Sequence, residues 1–273
     1  MQGVGPAQGR ARLFENQGRS RSSDSERRHH ENARDLFLSQ FWRGASEANE
    51  IRRLYELASK VDFCAGKSIF SEGEQVTSVF GRAKGYVRLY KRTADGRRQI
   101  VAFALPGELL GMPFAQAHSC SADAIDNVVL CRFPRADFVN FLQTAPDTML
   151  QLIEFATREL DMALRLSALL GHASAEERVT TFLFDWRNRL VAPGARSQFV
   201  PLPMLRQDIA DFLGLRLETL SRTLAKLGAK NVIRIVPKGV VLNELRPAAP
   251  FPQALVELAD AFEPVQGRAR GRA

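Results

Sequence analysis

Apolar and polar positions recur with changing periods along this chain, and each change marks a new element. Residues 1–35 hold few large apolar side chains and much Gly, Gln, Ser and Arg. Such a segment cannot bury enough surface to offset the entropy of ordering, so a flexible tail is expected. Over 36–58, Leu36, Phe37, Phe41, Ile51, Leu54, Tyr55 and Leu57 follow a helical pattern. Over 61–111 the pattern shortens into apolar runs punctuated by Gly. GYVRLYKRTADGRRQIVAFAL reads as strand, turn at Asp95-Gly96, strand. Val87 and Leu89, then Ile100, Ala102 and Ala104, are expected on one inward face. SADAIDNVVLCRFP adds another strand pair. Strands at this spacing predict an all-β barrel or sandwich.

The helical period returns from Asp147 to about Leu170, with no Gly or Pro between. Met149, Ile153, Ala156, Leu160 and Ala163 follow a 4-3-4-3 spacing, and Leu152, Phe155, Leu164 and Leu166 widen the apolar face. So wide a stripe needs cover on more than one side. A core helix lying on the barrel is one reading. A seam between two copies of the chain is the other, and the small Ala positions permit its close approach. Gly171-His172 reads as a hinge. Ser174 with Glu177 makes a capping-box pattern, followed by Val179, Phe182, Leu183 and Trp186 on one face. Pro201 and Pro203 interrupt. Then come helix, turn and helix, and two short strands around Lys238-Gly239. A loop follows Glu244, a short helix is expected over 254–262, and GRARGRA is a basic end.

Gln207–Leu213 is a short helix with Ile209, Ala210 and Leu213 inward, and Gly214 permits the left-handed backbone of a tight turn. In the next helix, Leu217–Leu227, Leu220, Leu224 and Leu227 point inward. Glu218, Ser221, Arg222 and Ala225 then share the outer face, as in a helix-turn-helix. The N-terminal half of such a helix meets base edges in a major groove. Arg222 can donate twice to guanine, Glu218 can accept from cytosine, and Ser221 can bond or pack beside a thymine methyl. Each correct contact is worth roughly 1–3 kcal/mol of discrimination. Arg216, Lys226, Lys230 and Lys238 are expected to neutralise phosphates. The alternative is a Glu218–Arg222 pair on a solvated helix, worth about 0.2–0.5 kcal/mol. NVIRIVPKGVVL, which reads as a β-wing, favours the DNA reader.

Composition narrows the classes. Hydrophobic residues are 45 % of the 273, enough for a core, and the net charge of +8 favours an anionic partner such as nucleic acid. No P-loop, Gly-x-Ser-x-Gly, HExxH or paired CxxC occurs, so an enzyme is not expected. No apolar run approaches the roughly 20 residues of a membrane span, and the N-terminus has no signal-like apolar core. Three scattered cysteines, Cys64, Cys120 and Cys131, fit a reducing cytoplasm. His29-His30 lack further ligands for a metal.

Taken together, GKSIFSEGE, GYVRLYK, DGRRQIVAFALPGELLG, the long central helix and DIADFLGLRLETLSRTLAKL resemble the Crp/Fnr superfamily of bacterial transcription regulators over about residues 40–245. The resemblance implies an α+β chain: a cyclic-nucleotide-binding-like β-roll over 36–146, a dimerisation helix over 147–171 and a winged helix-turn-helix over 172–245. Tails at 1–35 and 246–273 flank them. Gly66, Gly73, Gly85, Gly96, Gly107 and Gly111 fall where the family's roll turns its corners. It also implies a homodimer on a palindrome in double-stranded DNA, with RNA polymerase as a further partner. The reading head is similar to the Fnr and FixK branch, whose E-x-x-S-R pattern is matched by Glu218, Ser221 and Arg222. The cyclic-AMP receptor branch has Arg where this chain has Leu217, and Gly where it has Ser221. A TTGAT or TTGAC half-site is thus implied.

The same resemblance places an effector pocket at Glu108, His118, Ser119 and Cys120. His118-Ser119 stands where cyclic-AMP receptors carry Arg-Ser, and a neutral His replaces a bidentate fork poorly. An iron–sulfur cluster needs about four cysteines, and none precedes Cys64. Haem would take His118 or His172, without a C-x-x-C-H motif. No cofactor is therefore expected, with haem and cyclic nucleotide left open. Oxidation of Cys120 is a further option, and a structural thiol the plainer one. What remains resembles FixK-type regulators, which lack the cluster and are controlled mainly through their own expression.

Overall fold

The computed structural model describes residues 48–190 and 197–243. The tails, His29-His30, the apolar positions at 36–41 and the helix expected at 254–262 lie outside them. The described residues fall into two compact units that divide after Phe155.

The first unit opens with α1 (Ala48–Leu57). Eight strands follow: β1 (Ser59–Phe63), β2 (Ser68–Phe70), β3 (Ser78–Lys84), β4 (Val87–Arg92), β5 (Arg98–Ala104), β6 (Leu109–Leu110), β7 (Ser121–Ala124) and β8 (Val128–Pro134). They form two antiparallel four-stranded sheets, ordered β1-β8-β3-β6 and β2-β7-β4-β5. Phe70, Phe80, Val87, Leu110, Ala122 and Leu130 belong to one core cluster shared by the two sheets. A second cluster joins Val79, Ala83 and Phe133 to Leu54 of α1, Phe138 of α2 (Arg135–Leu142), and Leu152 and Phe155 of α3 (Pro146–His172). β3 contributes to both clusters, so its sequence shows no polar alternation.

Two strand expectations are corrected. A register shift between Leu89 and Tyr90 leaves Val101 unpaired, so Ala102 faces Leu89 while Ile100 faces Tyr90. Ile100 therefore leaves the face of Ala102 and Ala104, because a bulge reverses the side-chain period. The two strands of SADAIDNVVLCRFP do not pair with each other: β7 joins β2 and β4, whereas β8 joins β1 and β3. The hairpin at Asp95-Gly96 does form, and Asp95 accepts from Thr93 Oγ1 and Arg97 Nε, which hold its pKa down at about 2. At the β3–β4 turn Gly85 has φ +87, and a Cβ there would lie 2.7 Å from Asn127 O. Both facts require glycine.

α3 is one helix of 27 residues. Its start is pinned by Glu50, whose buried carboxylate accepts from Thr148 N (3.2 Å) and Thr148 Oγ1 (2.8 Å). A carboxylate there also complements the helix dipole. Met149, expected on a seam, packs instead against the second core cluster, and Ala156 is half-buried. The exposed apolar positions are Leu150, Ile153, Leu160 and Leu164, at 55–62 % exposure, with Ala163 also exposed. The helix runs through Gly171-His172, expected as a hinge, and the chain leaves it at Ala173-Ser174.

The second unit continues with α4 (Ala175–Leu190), β9 (Phe199–Pro201), α5 (Arg206–Phe212), α6 (Leu217–Ala229), β10 (Ile233–Val236) and β11 (Gly239–Leu242). The capping box is realised: Glu177 N donates to Ser174 Oγ (3.3 Å), and Glu177 Oε2 accepts from Ser174 N (2.7 Å). Val179, Phe182, Leu183 and Trp186 are buried. The sheet order is β10-β11-β9, so β9, which two prolines mask in the sequence, adds a third strand.

Candidate nucleic-acid interface

α5 and α6 are joined by a short turn whose Gly214 has φ +61. Leu205 N donates to the Asp208 carboxylate (3.3 Å) at the start of α5. Ile209, Ala210 and Leu213 are buried from that side, and Leu220, Thr223, Leu224 and Leu227 from α6. Burial of this stripe turns the opposite face of α6 outward. Glu218, Ser221, Arg222 and Ala225 are all exposed there. Among the described residues neither Glu218 nor Arg222 has an ion-pair partner, so the i,i+4 pair does not form. Both keep their hydrogen-bonding groups turned to solvent.

The four cations expected on phosphates divide into two pairs. Arg216, exposed at the N-cap of α6 with extended backbone, has no side-chain capping bond. Lys238 is exposed at the tip of the wing with φ +62, in the turn between Val236 and Gly239. Lys226 and Lys230 instead converge on Glu176 in the first turn of α4. Lys226 Nζ lies 2.7 Å from Glu176 Oε2, and Lys230 Nζ bonds Oε1. The two ammonium groups hold the Glu176 carboxyl below its ordinary pKa. The wing packs tightly beneath Lys238: a Cβ on Gly239 would lie 2.4 Å from Val200 O.

Periodicity also passed over Arg178. Its guanidinium donates from Nε to Ala173 O (2.9 Å), from Nη2 to Leu170 O (2.8 Å) and from Nη1 to Leu213 O (3.1 Å). One side chain thus ties the end of α3, the turn after it and the end of α5. These are carbonyls that a helix C-terminus leaves without an internal partner. A lone Arg after a capping box gives no sequence signal of that role.

Two of the effector candidates in the first unit, Glu108 and His118, are engaged otherwise. Glu108 Oε2 accepts from Leu105 N (2.7 Å) and lies 3.7 Å from Arg82 Nη2. His118 is buried, its ring stacked on Phe70 with centroids 3.8 Å apart and planes 8° from parallel. Burial pushes its pKa down, so the imidazole is neutral at pH 7. Ser119 is exposed, and burial pushes the half-buried Cys120 thiol up. These four residues offer a carboxylate, a neutral ring, a hydroxyl and a protonated thiol. That set does not fit the cyclic phosphate of a nucleotide, which needs a cationic fork. His172, in the last turn of α3, is exposed. Among the described residues no three His, Cys, Asp or Glu side chains gather as metal ligands, and no helix is long and apolar enough to cross a membrane.

Comparison with known proteins agrees with both halves. Residues 60–145 match the cyclic nucleotide-binding domain family, and residues 177–246 the Crp-like helix-turn-helix domain family. The chain is 46 % identical over 196 residues to the nitrogen fixation regulation protein FixK of Bradyrhizobium diazoefficiens, covering 72 % of this chain and 83 % of that protein. It is 47 % identical over 197 residues to the transcriptional activatory protein AadR of Rhodopseudomonas palustris, covering 72 % and 81 %. Among solved structures, FixK2 from Bradyrhizobium japonicum matches with a TM-score of 0.64 and 32 % identity, over 74 % of this chain and 96 % of that one. The chain belongs to the Crp/Fnr family of DNA-binding transcriptional regulators, on its FixK-like branch.

Proposed function

We propose that this regulator works in the cytoplasm as a symmetric dimer that reads a TTGAT- or TTGAC-type palindrome and activates transcription through RNA polymerase. Its targets are low-oxygen or nitrogen-related genes, a reading supported by its similarity to the nitrogen fixation regulation protein FixK. The reading of DNA is supported by the exposed face of Glu218, Ser221 and Arg222 on α6, with no ion pair among the described residues and backed by buried leucines. Those three read bases, and Arg216 and Lys238 touch phosphates. The roll over 36–146 is a scaffold that needs no cyclic nucleotide, the helix over 147–171 dimerises, and 172–245 binds DNA.

The dimer joins along Leu150, Ile153, Leu160 and Leu164, whose 3-7-4 spacing is that of a heptad seam. A charge in that seam has no favourable partner on the two-fold axis, so Leu160→Glu is expected to run as a monomer in light scattering. A dimer from that variant removes the seam.

The test of the reading head is fluorescence anisotropy, in air and without ligand, on a TTGAT-N4-ATCAA duplex against a scrambled duplex at fixed salt. Preference for the palindrome is expected, and Arg222→Ala should lose roughly 1–3 kcal/mol of it. Equal binding of both duplexes by the unmodified protein, or an unchanged preference in Arg222→Ala, overturns the reading.

A further inference from the structure

Two lysines on the recognition helix do not point freely into solvent. Lys226 and Lys230 are one turn apart on α6, and both ammonium groups meet the Glu176 carboxylate of α4, one on each oxygen. All three side chains keep partial exposure: 61 % for Lys226, 50 % for Lys230 and 29 % for Glu176. Like charges at i,i+4 repel, and the shared carboxylate offsets that repulsion. The two-oxygen geometry is also how a backbone phosphate would engage such a pair.

We propose that Glu176 is an internal counter-anion that keeps Lys226 and Lys230 out of contact with DNA phosphates. It thereby lowers the sequence-independent, salt-sensitive part of DNA affinity. This rests on the reading of α6 as the recognition helix. A phosphate that captured both lysines would leave the Glu176 carboxylate unpaired beside the anionic DNA backbone. Repulsion from that carboxylate disfavours the exchange. Sequence-independent affinity comes almost entirely from such phosphate contacts, whereas discrimination comes from base edges. Withholding two cations therefore weakens binding to every sequence while leaving Glu218, Ser221 and Arg222 untouched. Glu176 makes no base contact and acts only through the lysines, as a positioning residue.

The experiment measures the affinity of the full chain for the scrambled duplex at several salt concentrations. It compares the unmodified protein with Glu176→Gln, with Lys226→Met/Lys230→Met, and with the triple variant. Each phosphate contact contributes about 0.9 to the slope of log affinity against log salt. Glu176→Gln is expected to steepen the slope by about 0.9 for each lysine released, so the loss between 50 and 200 mM salt grows about 3.5-fold per lysine. The double lysine variant should keep the unmodified slope, and the triple variant should return to it. Glu176→Asp, one methylene shorter but still charged, should fall between the unmodified protein and Glu176→Gln. It also supplies the comparison if Glu176→Gln melts early. An unchanged slope in both Glu176 variants, or a flatter slope in the double lysine variant, overturns the proposal. Failure of the recognition-helix reading looks different: the palindrome is not preferred by any variant, while these slopes still answer the question about Glu176.

Discussion

Replacing Arg178 by Met keeps the length and packing of the side chain and removes its charge and its donors. Three carbonyls lose their guanidinium partner: Leu170 O at 2.8 Å, Ala173 O at 2.9 Å and Leu213 O at 3.1 Å. Net intramolecular hydrogen bonds contribute about 1 kcal/mol each, and the half-buried site lets water reach the released carbonyls in part. The expected loss is thus about 3 kcal/mol of stability in the DNA-binding unit. Trp186 reports on that unit, since its Nε1 donates to Pro201 O (2.8 Å) and its ring is buried. The only other tryptophan is Trp42, so a Trp42→Phe background leaves one fluorophore. Urea denaturation followed by Trp186 fluorescence should show the loss, and Arg178→Lys should restore part of it. The lysine keeps the charge but lacks the planar fork that spans three acceptors. A loss below about 0.5 kcal/mol, the level of an ordinary surface substitution, would refute this account of Arg178.

Two further outcomes follow from the geometry. Lys238 stands at φ +62, a left-handed backbone that costs a residue with a Cβ about 1–2 kcal/mol. Lys238→Gly should therefore raise thermal stability while flattening the salt dependence of DNA binding by about 0.9, which separates wing folding from phosphate contact. A fall in stability would remove the strain argument. His118 has a folded pKa below its ordinary 6.5, pushed down chiefly by burial, with Glu74 opposing weakly. The unfolded chain then binds more protons than the folded one in the window just below pH 6.5, so stability is full above it and declines as pH falls through it. His118→Phe, which keeps a ring against Phe70, should remove that decline in melts between pH 7.5 and 5.5. The same decline in the variant would exclude His118 as its source.

Local periodicity alone carried much of this molecule. The alternation in 87–104 marked a hairpin, the Ser174–Glu177 pair marked a helix start, and the leucine stripe of 217–227 left Glu218, Ser221 and Arg222 outward. Each depends on neighbours within a turn or a strand, which a sequence displays directly. Tertiary structure decided the rest. It turned Ile100 to the face opposite Ala102 and Ala104 through a bulge, and packed the half-buried Met149 against a core while leaving Leu150 outside. It also brought Glu176 to lysines 50 and more positions away, and joined Arg178 to Leu213 across 35 positions. A bulge changes the count along one strand without changing its composition. Contacts between distant side chains exist only once helices are packed, and no repeat along the chain records them. The outward face of Glu218, Ser221 and Arg222 was therefore legible in the sequence, whereas the Arg178 clamp and the contact of Glu176 with two lysines were products of packing.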